Sequence, residues 1–369
     1  MSKKKKVVIK IGSSTLTTKQ GGLNRAAFLP FVQSIVPLRE EYDFVIISSG
    51  AVAAGRGACE EMGSKLSVTD RQALAALGQG HLIQTWNEAF GWYGIHVGQL
   101  LLTRHDLSFK ESYQNILGCL NALLDRDIIP IINENDSVKV RSANFGDNDM
   151  LGAMIAALIH ADHYIIVTDT PGLYNKNPSQ NPDAKLIPFV DEVTSEVIEM
   201  AGDSSSQVGT GGMRTKLEAV RRASSQGIEC FIGVASKSDF LQSILVGKGQ
   251  GTYFGSRHGT TLSRKKQWML FHSEISGSIH IDHGAQEALI KRGKSLLPVG
   301  VMSVEGDFPL GAMINVYNQD KLLLGRGRTA YSSEQLKKAL GSSSYEAKRQ
   351  ANSNKEEVIH RDDWVAIQE

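Results

Sequence analysis

Short apolar runs rich in Val and Ile recur along the chain, and each run ends in or just before Gly, Ser, Thr or Asn. Apolar residues are continuous within these runs, which is typical of strands buried on both faces of a parallel sheet. The pattern predicts five strands of this kind. They are "VVIKIG" (7–12), "FVIISSG" (44–50), "IIPIIN" (128–133), "YIIVTD" (164–169) and "IECFIGVA" (228–235).

Longer stretches between these runs have the spacing of amphipathic or buried helices. They are "NRAAFLPFVQSIVPLREE" (24–41), "VTDRQALAALGQGHLIQTWNEAF" (68–90), "NILGCLNALLDRD" (115–127), "DMLGAMIAALIHA" (149–161) and "LEAVRRASSQG" (217–227). Alternating strands and helices predict an α/β fold, an open and mainly parallel sheet sandwiched by helices. The order of the strands within the sheet does not follow from chain order.

The pattern of apolar and polar residues changes after about residue 260, where short strand-like segments are separated by turn residues every eight to twelve positions. With one short helix, this region predicts a small, mainly β C-terminal domain. We therefore expect a catalytic domain over residues 1–260 and a second domain over 275–355. The polar stretch from 341 onward predicts a loosely held end.

Composition narrows the function classes. At 369 residues the chain is long enough for two cores, and its 40 basic and 39 acidic residues nearly cancel. This balance argues against nonspecific nucleic-acid or membrane binding and favours a small-molecule substrate. The three cysteines form no C-x-x-C pair, so we expect buried free thiols. With no apolar segment near the ~20 residues of a membrane span, we expect a cytoplasmic protein.

Ligands of open parallel sheets bind beyond the carboxyl ends of the strands, so the strand exits are the candidate site. Two exits, "GSS" after Lys10 and "SSGAVAAGR" from Ser48, combine glycine with a helix start and so offer free backbone N–H groups to an anion. The exits at 132–138 and 144–150 are dense in Asn and Asp. Their polar residues are Asn133, Glu134, Asn135, Asp136, Asp147, Asn148 and Asp149.

Two interpretations of this polar group remain open for each residue taken singly. Asn and Asp are common in turns and at helix N-caps, and Asp147 is a candidate cap for the helix that follows. For the group as a whole we favour a binding site, because carboxylates and amides together hold a zwitterionic small molecule. A fourth exit, "VTDTPGLYNKNP" (167–178), carries Thr168 and Asp169 into a long loop.

Two lysines point to phosphoryl transfer. Lys10 lies inside a predicted buried strand and needs an anion, unless the strand is at an edge and the side chain reaches solvent. Lys216 ends "GTGGMRTK", which is not a P-loop because Thr215 and Leu217 flank the lysine. Lysines with glycine-rich amide loops suit a reaction that depends on positioning and charge neutralisation.

The candidate loops contain no histidine, and this bears on the phosphoryl acceptor. A hydroxyl acceptor normally needs a general base, whereas a carboxylate with a pKa near ~4.3 is already ionised at pH 7. The missing histidine therefore favours an acid as acceptor. A hydroxyl acceptor served by an aspartate stays open.

An ordered set of motifs resembles the amino acid kinase family, in particular its bacterial, glutamate-phosphorylating branch. The motifs are "VVIKIGSS", "IISSGAVAAGR", "GQLLLT", "PIINENDSV", "FGDNDMLGA", "VTDTPGLY" and "GTGGMRTK". The C-terminal region, including "GSIHIDHGAQEALIKRGKSLLPVGVMSVEGDFPLGAMINV", looks like a PUA domain. The resemblance implies ATP with Mg²⁺, L-glutamate as acceptor, feedback inhibition by proline and hand-over of the product to a glutamyl phosphate reductase. We also expect a homo-oligomer.

The resemblance also implies roles for individual residues. Lys10 and Lys216 would neutralise the phosphoryl group in transfer, and Asp149 would orient them. L-Glutamate would be held by Ser49, Asn133, Asp136 and Asn148. ATP would be contacted by Lys10, Thr168, Asp169, Thr210, Gly211, Gly212, Met213, Arg214, Thr215 and Lys216.

Two other functions are compatible with parts of the sequence. One is a kinase of another small acid, such as carbamate, built on the same chemistry. The other is an RNA-binding protein that acts through the PUA domain. It is disfavoured by the neutral net charge and by the lack of a clustered basic and aromatic face in 276–352.

Overall fold

The structure is a computed structural model. It describes residues 4–18, 20–59, 66–138, 148–178, 180–201, 212–235, 238–255, 269, 273, 275–351 and 355–367. The chain divides into two compact units, residues 1–107 with 111–261, and residues 108–110 with 262–369.

Eight strands of the described chain form the sheet of the first unit. Their bounds are β1 (Lys5–Ile11), β2 (Tyr42–Ser48), β3 (Val97–Leu102), β4 (Ile129–Glu134), β5 (His163–Val167), β6 (Phe189–Val190), β7 (Glu229–Gly233) and β8 (Gly251–Phe254). The order across the sheet is β3-β4-β2-β1-β5-β7-β8-β6. Neighbouring strands are parallel except β7 and β8, so the mainly parallel α/β sheet is confirmed.

The five strands predicted from apolar runs are the five central ones, β1, β2, β4, β5 and β7. The sequence pattern did not predict β3, β6 and β8, which lie at the two sides of the sheet. In β3 only Leu102 is buried, and β6 has two residues. Strands at an edge bury less of each side chain, so they lack the continuous apolar run that marks a central strand.

Ten helices accompany this sheet in the described chain. Their bounds are α1 (Ser13–Leu16), α2 (Leu29–Ile35), α3 (Ala51–Ala58), α4 (Val68–Gly91), α5 (Arg104–Ser108), α6 (Lys110–Leu124), α7 (Asn148–Ile159), α8 (Ser195–Met200), α9 (Met213–Ser224) and α10 (Phe240–Leu245). The predicted helix over 24–41 is broken into α2 and two flanking 3₁₀ turns. Pro30 and Pro37 start the later two pieces because proline lacks the N–H that a continuous helix needs.

Helices α3 and α4 pack with their backbones in close contact. A Cβ atom at Gly55 would overlap the carbonyl group of Leu74, and one at Gly78 would overlap the carbonyl oxygen of Ala51. A capping box between Ser67 and Asp70 fixes the start of α4. This packing holds the first residues of α3 and the middle of α4 beside the carboxyl ends of β2 and β4.

The second unit is a five-stranded sheet with order β10-β9-β11-β12-β13. Its strands are β9 (Ile275–Ile281), β10 (Val301–Glu305), β11 (Met313–Tyr317), β12 (Leu323–Thr329) and β13 (Ile359–Ala366). Its helices are α11 (His283–Ile290), α12 (Ser333–Ala339) and α13 (Ser344–Ala351). A separate apolar core includes Ile279, Val316 and Tyr331.

The one short helix expected within residues 276–332 is α11, and α12 and α13 follow that segment. The expectation about the end of the chain was wrong. The chain end is not loosely held, because β13 pairs antiparallel with β12 and buries Trp364 and Val365. The polar residues 360–363 separate the buried Ile359 from the buried Trp364 and Val365, so β13 contains no continuous apolar run and its sequence looked polar.

The expectation of three buried thiols was also wrong. Cys230 is buried, Cys59 is half-buried and Cys119 is exposed. Burial raises the pKa of the Cys230 thiol. Separately, no helix among the described residues has the length and apolar character of a membrane span.

Candidate active site

The carboxyl ends of the central strands lie together and are joined by main-chain hydrogen bonds. Gly12 N–H donates to the Val167 carbonyl (3.3 Å), and Ser49 N–H donates to the Ile11 carbonyl (3.2 Å). Thr168 N–H donates to the Gly233 carbonyl (2.9 Å). The exits of β1, β2, β5 and β7 therefore form one continuous edge, as expected for the ligand-binding edge of an open sheet.

Lys10 lies in β1, between β2 and β5, and is 4% exposed. A central position excludes the alternative in which this side chain reaches solvent from an edge strand. Its Nζ is 2.5 Å from Asp149 Oδ1. The buried lysine thus has the anion that its environment requires.

Asp149 pairs with both lysines that the sequence singled out. Lys216 Nζ lies 3.2 Å from Asp149 Oδ2, while Lys10 occupies the other carboxylate oxygen. Asp149 is fully buried and Lys216 is 8% exposed. Three formal charges with a net value of +1 are therefore held at low exposure, in the first turns of α7 and α9 and at the end of β1.

The start of α7 is held in place from below. The Tyr164 hydroxyl group on β5 donates to the Asp149 carbonyl oxygen at 2.6 Å. A Cβ atom at Gly152 would lie 2.6 Å from that hydroxyl oxygen, so the helix can approach β5 this closely only with glycine there. This contact fixes the height of Asp149 above the sheet.

Side-chain amides linked by hydrogen bonds extend from the residue before Asp149 to helix α4. Asn148 Nδ2 donates to Ser49 Oγ (2.7 Å) and to Asn133 Oδ1 (2.9 Å). Asn133 Nδ2 donates in turn to Gln79 Oε1 (2.8 Å) on α4. Three of the four predicted substrate residues are therefore in one hydrogen-bonded network, and Gln79 is a member that the sequence reasoning missed.

The position of Ser49 depends on the turn after β2. Ser48 is buried, and its Oγ accepts a hydrogen bond of 2.8 Å from Trp86 Nε1 on α4. Gly50 has a φ of 114°, which glycine adopts without strain, and it starts α3. The sharp turn aims Ser49 at Asn148.

The fourth predicted substrate residue, Asp136, lines a pocket beside this network. The pocket has a volume of about 250 Å³ and is bordered by α3, α4, β3 and the exit of β4. Its lining residues are Ala51, Ala75, Ala76, Gln79, Gly80, Gln99, Leu101, Glu134, Asn135, Asp136 and Ser137. Drug-sized ligands need roughly 300–1,000 Å³, so this pocket suits a small metabolite.

The predicted nucleotide residues lie at two other exits. Thr168 and Asp169 follow β5, and Thr168 Oγ1 donates to Asp169 Oδ1 at 3.2 Å. Gly212 precedes α9 in an extended conformation, and Thr215 Oγ1 donates to its carbonyl oxygen at 2.9 Å. Met213 is the first residue of α9.

Arg214 Nε lies 3.6 Å from Glu218 Oε1, and the Arg214 side chain is 54% exposed. It therefore lies at the surface of α9. Thr210 and Gly211 fall outside the described residues.

The sequence does contain an indication that Gln79 belongs to a hydrogen-bonded network. It is one turn after Ala75 and three residues before Leu82, on the buried stripe of α4. A glutamine in such a stripe needs hydrogen-bond partners. The coupling of Asp149 to both lysines has no such indication in the local sequence pattern, because the partners are far apart in the chain, and only the family resemblance implied it.

Comparisons with known proteins show what this chain is similar to. The family model described as "Amino acid kinase family" matches residues 5–233, and the PUA domain model matches residues 277–350. The chain is 45% identical to "Glutamate 5-kinase" of Geobacillus thermodenitrificans, over 99% of this chain and 98% of that protein. It is 44% identical to "Glutamate 5-kinase 1" of Bacillus subtilis, over 100% of both.

Among solved structures, UMP kinase from Ureaplasma parvum superposes with a TM-score of 0.48 at 12% identity, over 69% of this chain and 100% of that chain.

Proposed function

The chain belongs to the amino acid kinase family and, within it, to the glutamate 5-kinases, and we propose that it phosphorylates glutamate at the Lys10–Asp149–Lys216 site. The reaction transfers a phosphoryl group from ATP to the side-chain carboxylate of L-glutamate. The product is L-glutamyl 5-phosphate, and the reaction is the first step of proline biosynthesis. The observation that supports the site is the pairing of both buried lysines with one aspartate.

Both reactants bring negative charge to the point of transfer. A carboxylate oxygen of glutamate attacks the γ-phosphorus of ATP, the bond from that phosphorus to the β–γ bridging oxygen breaks, and ADP leaves. No proton has to move, because the side-chain carboxylate with a pKa near ~4.3 is ionised at pH 7. The barrier is therefore electrostatic, and two fixed ammonium groups act on it directly.

Asp149 has a positioning role in this proposal. Its two oxygens hold one ammonium group each, which sets the separation and direction of the lysines before the substrates arrive. Groups that are fixed in advance need little reorganisation during the reaction, and this is where electrostatic catalysis gains most. The Tyr164 hydroxyl group supports this function by holding the start of α7.

The amino acid binds beside the lysines in our proposal. Ser49, Asn133 and Asn148 are linked to one another, and Asp136 lines the adjacent pocket. An aspartate pairs with the substrate ammonium group, while hydroxyl and amide N–H groups bind carboxylate oxygens. This combination of groups fits a zwitterion of the size of glutamate.

ATP binds at the exits of β5 and the start of α9 in our proposal. The contacts come from Thr168 and Asp169 on one side and from residues 210–216 on the other, with Lys10 and Lys216 reaching the γ-phosphoryl group. Mg²⁺ enters as part of the nucleotide substrate, where it neutralises phosphate charge. The helix N-terminus at Met213 adds backbone N–H groups that favour a phosphate.

Further parts of the proposal concern the protein as a whole. We propose feedback inhibition by proline through the glutamate site and the 132–149 segment, a homo-oligomer, and a cytoplasmic location. An acyl phosphate is prone to cyclise, so hand-over to a glutamyl phosphate reductase fits the product's chemistry. Domain bounds of 1–260 and 275–355 are part of the same proposal.

An acceptor panel tests the function. ADP release is measured with L-glutamate, L-aspartate, acetylglutamate and carbamate, and hydroxylamine traps any acyl phosphate as a hydroxamate. We expect both signals with L-glutamate and a large decrease of the rate when proline is added. The absence of hydroxamate with L-glutamate would rule out the proposed reaction.

A further inference from the structure

Gln79 is the buried polar residue that the proposed mechanism leaves unused. It lies in the middle of α4, is 9% exposed and lines the 250 Å³ pocket together with Glu134 and Asp136. Its Oε1 accepts the hydrogen bond from Asn133. Its Nε2 is buried and has no hydrogen-bond partner within the part of the chain that the structure describes.

The hydrogen bond from Asn133 determines the orientation of the Gln79 amide. If the amide were turned over, the Asn133 Nδ2 donor would face the Gln79 Nε2 donor. The Asn133 amide is fixed in turn, because its Oδ1 accepts from the Glu134 N–H (2.9 Å) and from Asn148 Nδ2 (2.9 Å). The network thus presents Gln79 with its acceptor satisfied and its donor unused.

An unused buried donor is costly and normally has a purpose. A polar group buried without a partner loses its hydration with nothing in return, and almost all buried polar groups in proteins are paired. A hydrophobic residue at position 79 would avoid this cost. The donor is therefore best explained by an acceptor that arrives with a ligand of the adjoining pocket.

We infer that Gln79 is a substrate-binding residue whose Nε2 donates a hydrogen bond to the α-carboxylate of the bound amino acid. This inference rests on the proposed function, to which it adds a specificity determinant. The α-carboxylate is the group of glutamate that does not react, and it distinguishes this substrate from simple carboxylic acids.

The order of the network indicates which carboxylate Gln79 binds. Asn148 precedes Asp149, the partner of both lysines, and from Asn148 the chain of hydrogen bonds passes through Asn133 to Gln79. Gln79 is thus at the end of the network remote from the lysines. The reacting carboxylate must lie at the lysines, so the far end is left for the α-carbon and its substituents.

The charges around the pocket agree with this orientation. Glu134 and Asp136 line the pocket with Gln79, and these carboxylates attract the α-ammonium group. The α-carboxylate needs a hydrogen-bond donor in the same pocket. A positively charged donor would be neutralised by these two acids, so the donor has to be uncharged. An amide N–H meets that need, whereas a lysine at position 79 would pair with Glu134 or Asp136 and occupy the ammonium position.

The experiment exchanges the donor for an acceptor. Gln79→Glu keeps the length of the side chain and the acceptor for Asn133, but it places a carboxylate where the donor was. Steady-state kinetics are measured by hydroxamate formation with L-glutamate and with its α-amide, isoglutamine. We expect KM for L-glutamate to rise about 10- to 100-fold with kcat changed only a few-fold, as for loss of a hydrogen bond to a charged group.

The α-amide separates this role from a general loss of fit. Its N–H₂ group can donate to the new carboxylate, so Gln79→Glu should lower the ratio of kcat/KM for L-glutamate to kcat/KM for isoglutamine at least about tenfold. Equal losses for both compounds would overturn the inference, because they would show that Gln79 acts only by holding Asn133. An unchanged KM for L-glutamate would also overturn it.

Two further variants complete the test. Gln79→Met removes the donor without adding charge, and it should raise KM for L-glutamate while affecting isoglutamine less. Gln226→Glu is the matched control, because Gln226 is also 9% exposed and its Nε2 has no partner among the described residues, but it precedes the amino end of β7. It should leave KM for L-glutamate unchanged. If the unsubstituted enzyme formed no hydroxamate with L-glutamate, the proposed function would fail whatever the variants did.

Discussion

Strand β1 has lysine–aspartate pairs at both of its ends, and the two pairs differ in burial. At the amino end, Lys4 Nζ lies 2.8 Å from Asp127 Oδ1, and the side chains are 31% and 64% exposed. At the carboxyl end, Lys10 Nζ lies 2.5 Å from Asp149 Oδ1, and the side chains are 5% and 0% exposed. The same two residue types therefore meet in two very different environments on one strand.

This difference in burial distinguishes a pair with a structural role from a pair that is kept for a reaction. An exposed pair costs little to form and contributes about 0–1 kcal/mol. A buried pair loses hydration that the attraction between its charges repays only in part, so it is a poor device for stability. Charges that are kept at such a cost, at the ligand-binding edge of the sheet, indicate a function at the carboxyl end.

The largest expected effect is a difference in kcat between lysine variants of the buried pair and of the exposed pair. Lys216→Ala removes one of the two ammonium groups from the buried site, and we expect kcat to fall about 10²–10³-fold or more because developing charge loses a fixed partner. Lys4→Ala at the other end should leave kcat within about twofold. Hydroxamate formation gives kcat, and circular dichroism verifies folding. A folded Lys216→Ala enzyme with near-normal turnover would refute the role of this lysine.

The second effect separates the ends by stability. Asp149→Asn leaves two buried ammonium groups without their counter-charge, and we expect a loss of about 3–5 kcal/mol in the free energy of unfolding. Asp127→Asn breaks an exposed pair and should cost no more than about 1 kcal/mol. Urea unfolding under matched conditions measures both changes. Equal losses for the two variants would mean that burial does not distinguish the pairs.

A smaller effect concerns pH at the exposed pair. The hydrogen bond from Lys4, and next its positive charge, hold the pKa of Asp127 below its usual range. A lowered carboxyl pKa adds stability above the unfolded-state pKa of about 3.9, and this contribution is lost as the pH falls through the folded-state pKa.

The stability difference between the unsubstituted protein and Asp127→Asn should therefore be constant from pH 8 to about pH 5 and shrink below that. Melting temperatures measured across this range test the expectation. A difference that grows as the pH falls would contradict the assigned direction of the pKa shift.

The smallest expected effect also belongs to the amino end of the sheet. Burial lowers the pKa of His163 on β5, and the nearby carboxylates of Glu229 and Asp162 oppose that shift only in part. A lowered histidine pKa means that the unfolded chain binds the proton more readily. Stability is then lost as the pH falls below the unfolded-state value near ~6.5.

His163→Gln removes this proton and should reduce the decline in melting temperature between pH 7 and pH 5.5. The slopes of melting temperature against pH are compared for the two proteins. A steeper decline in the variant would show that the charged histidine is stabilised by Glu229, which lies 3.1 Å away, more than burial penalises it.

Much of the fold and of the site could be predicted from the sequence. The apolar runs gave the five central strands, because a strand covered on both faces has to be apolar throughout. The motifs placed Lys10, Ser49, Asn133, Asp149 and Lys216 at strand exits or helix starts, where the structure has them. The edge strand β3 and the terminal strand β13 were missed, since glycine, polar or charged residues occupy part of each strand and neither is a continuous apolar run.

The sequence by itself determined the residue types at the exits and the arrangement of a mainly parallel sheet sandwiched by helices. Only the tertiary structure decided that β1 is central. It also supplied the contacts of Asp149 with Lys10 and Lys216, 139 and 67 positions away along the chain, which the family resemblance had implied but no local pattern indicated. It also decided that Gln79 joins the site from α4. The physical reason is that strand order and helix packing set which distant residues meet, and local propensity carries no information about those distances.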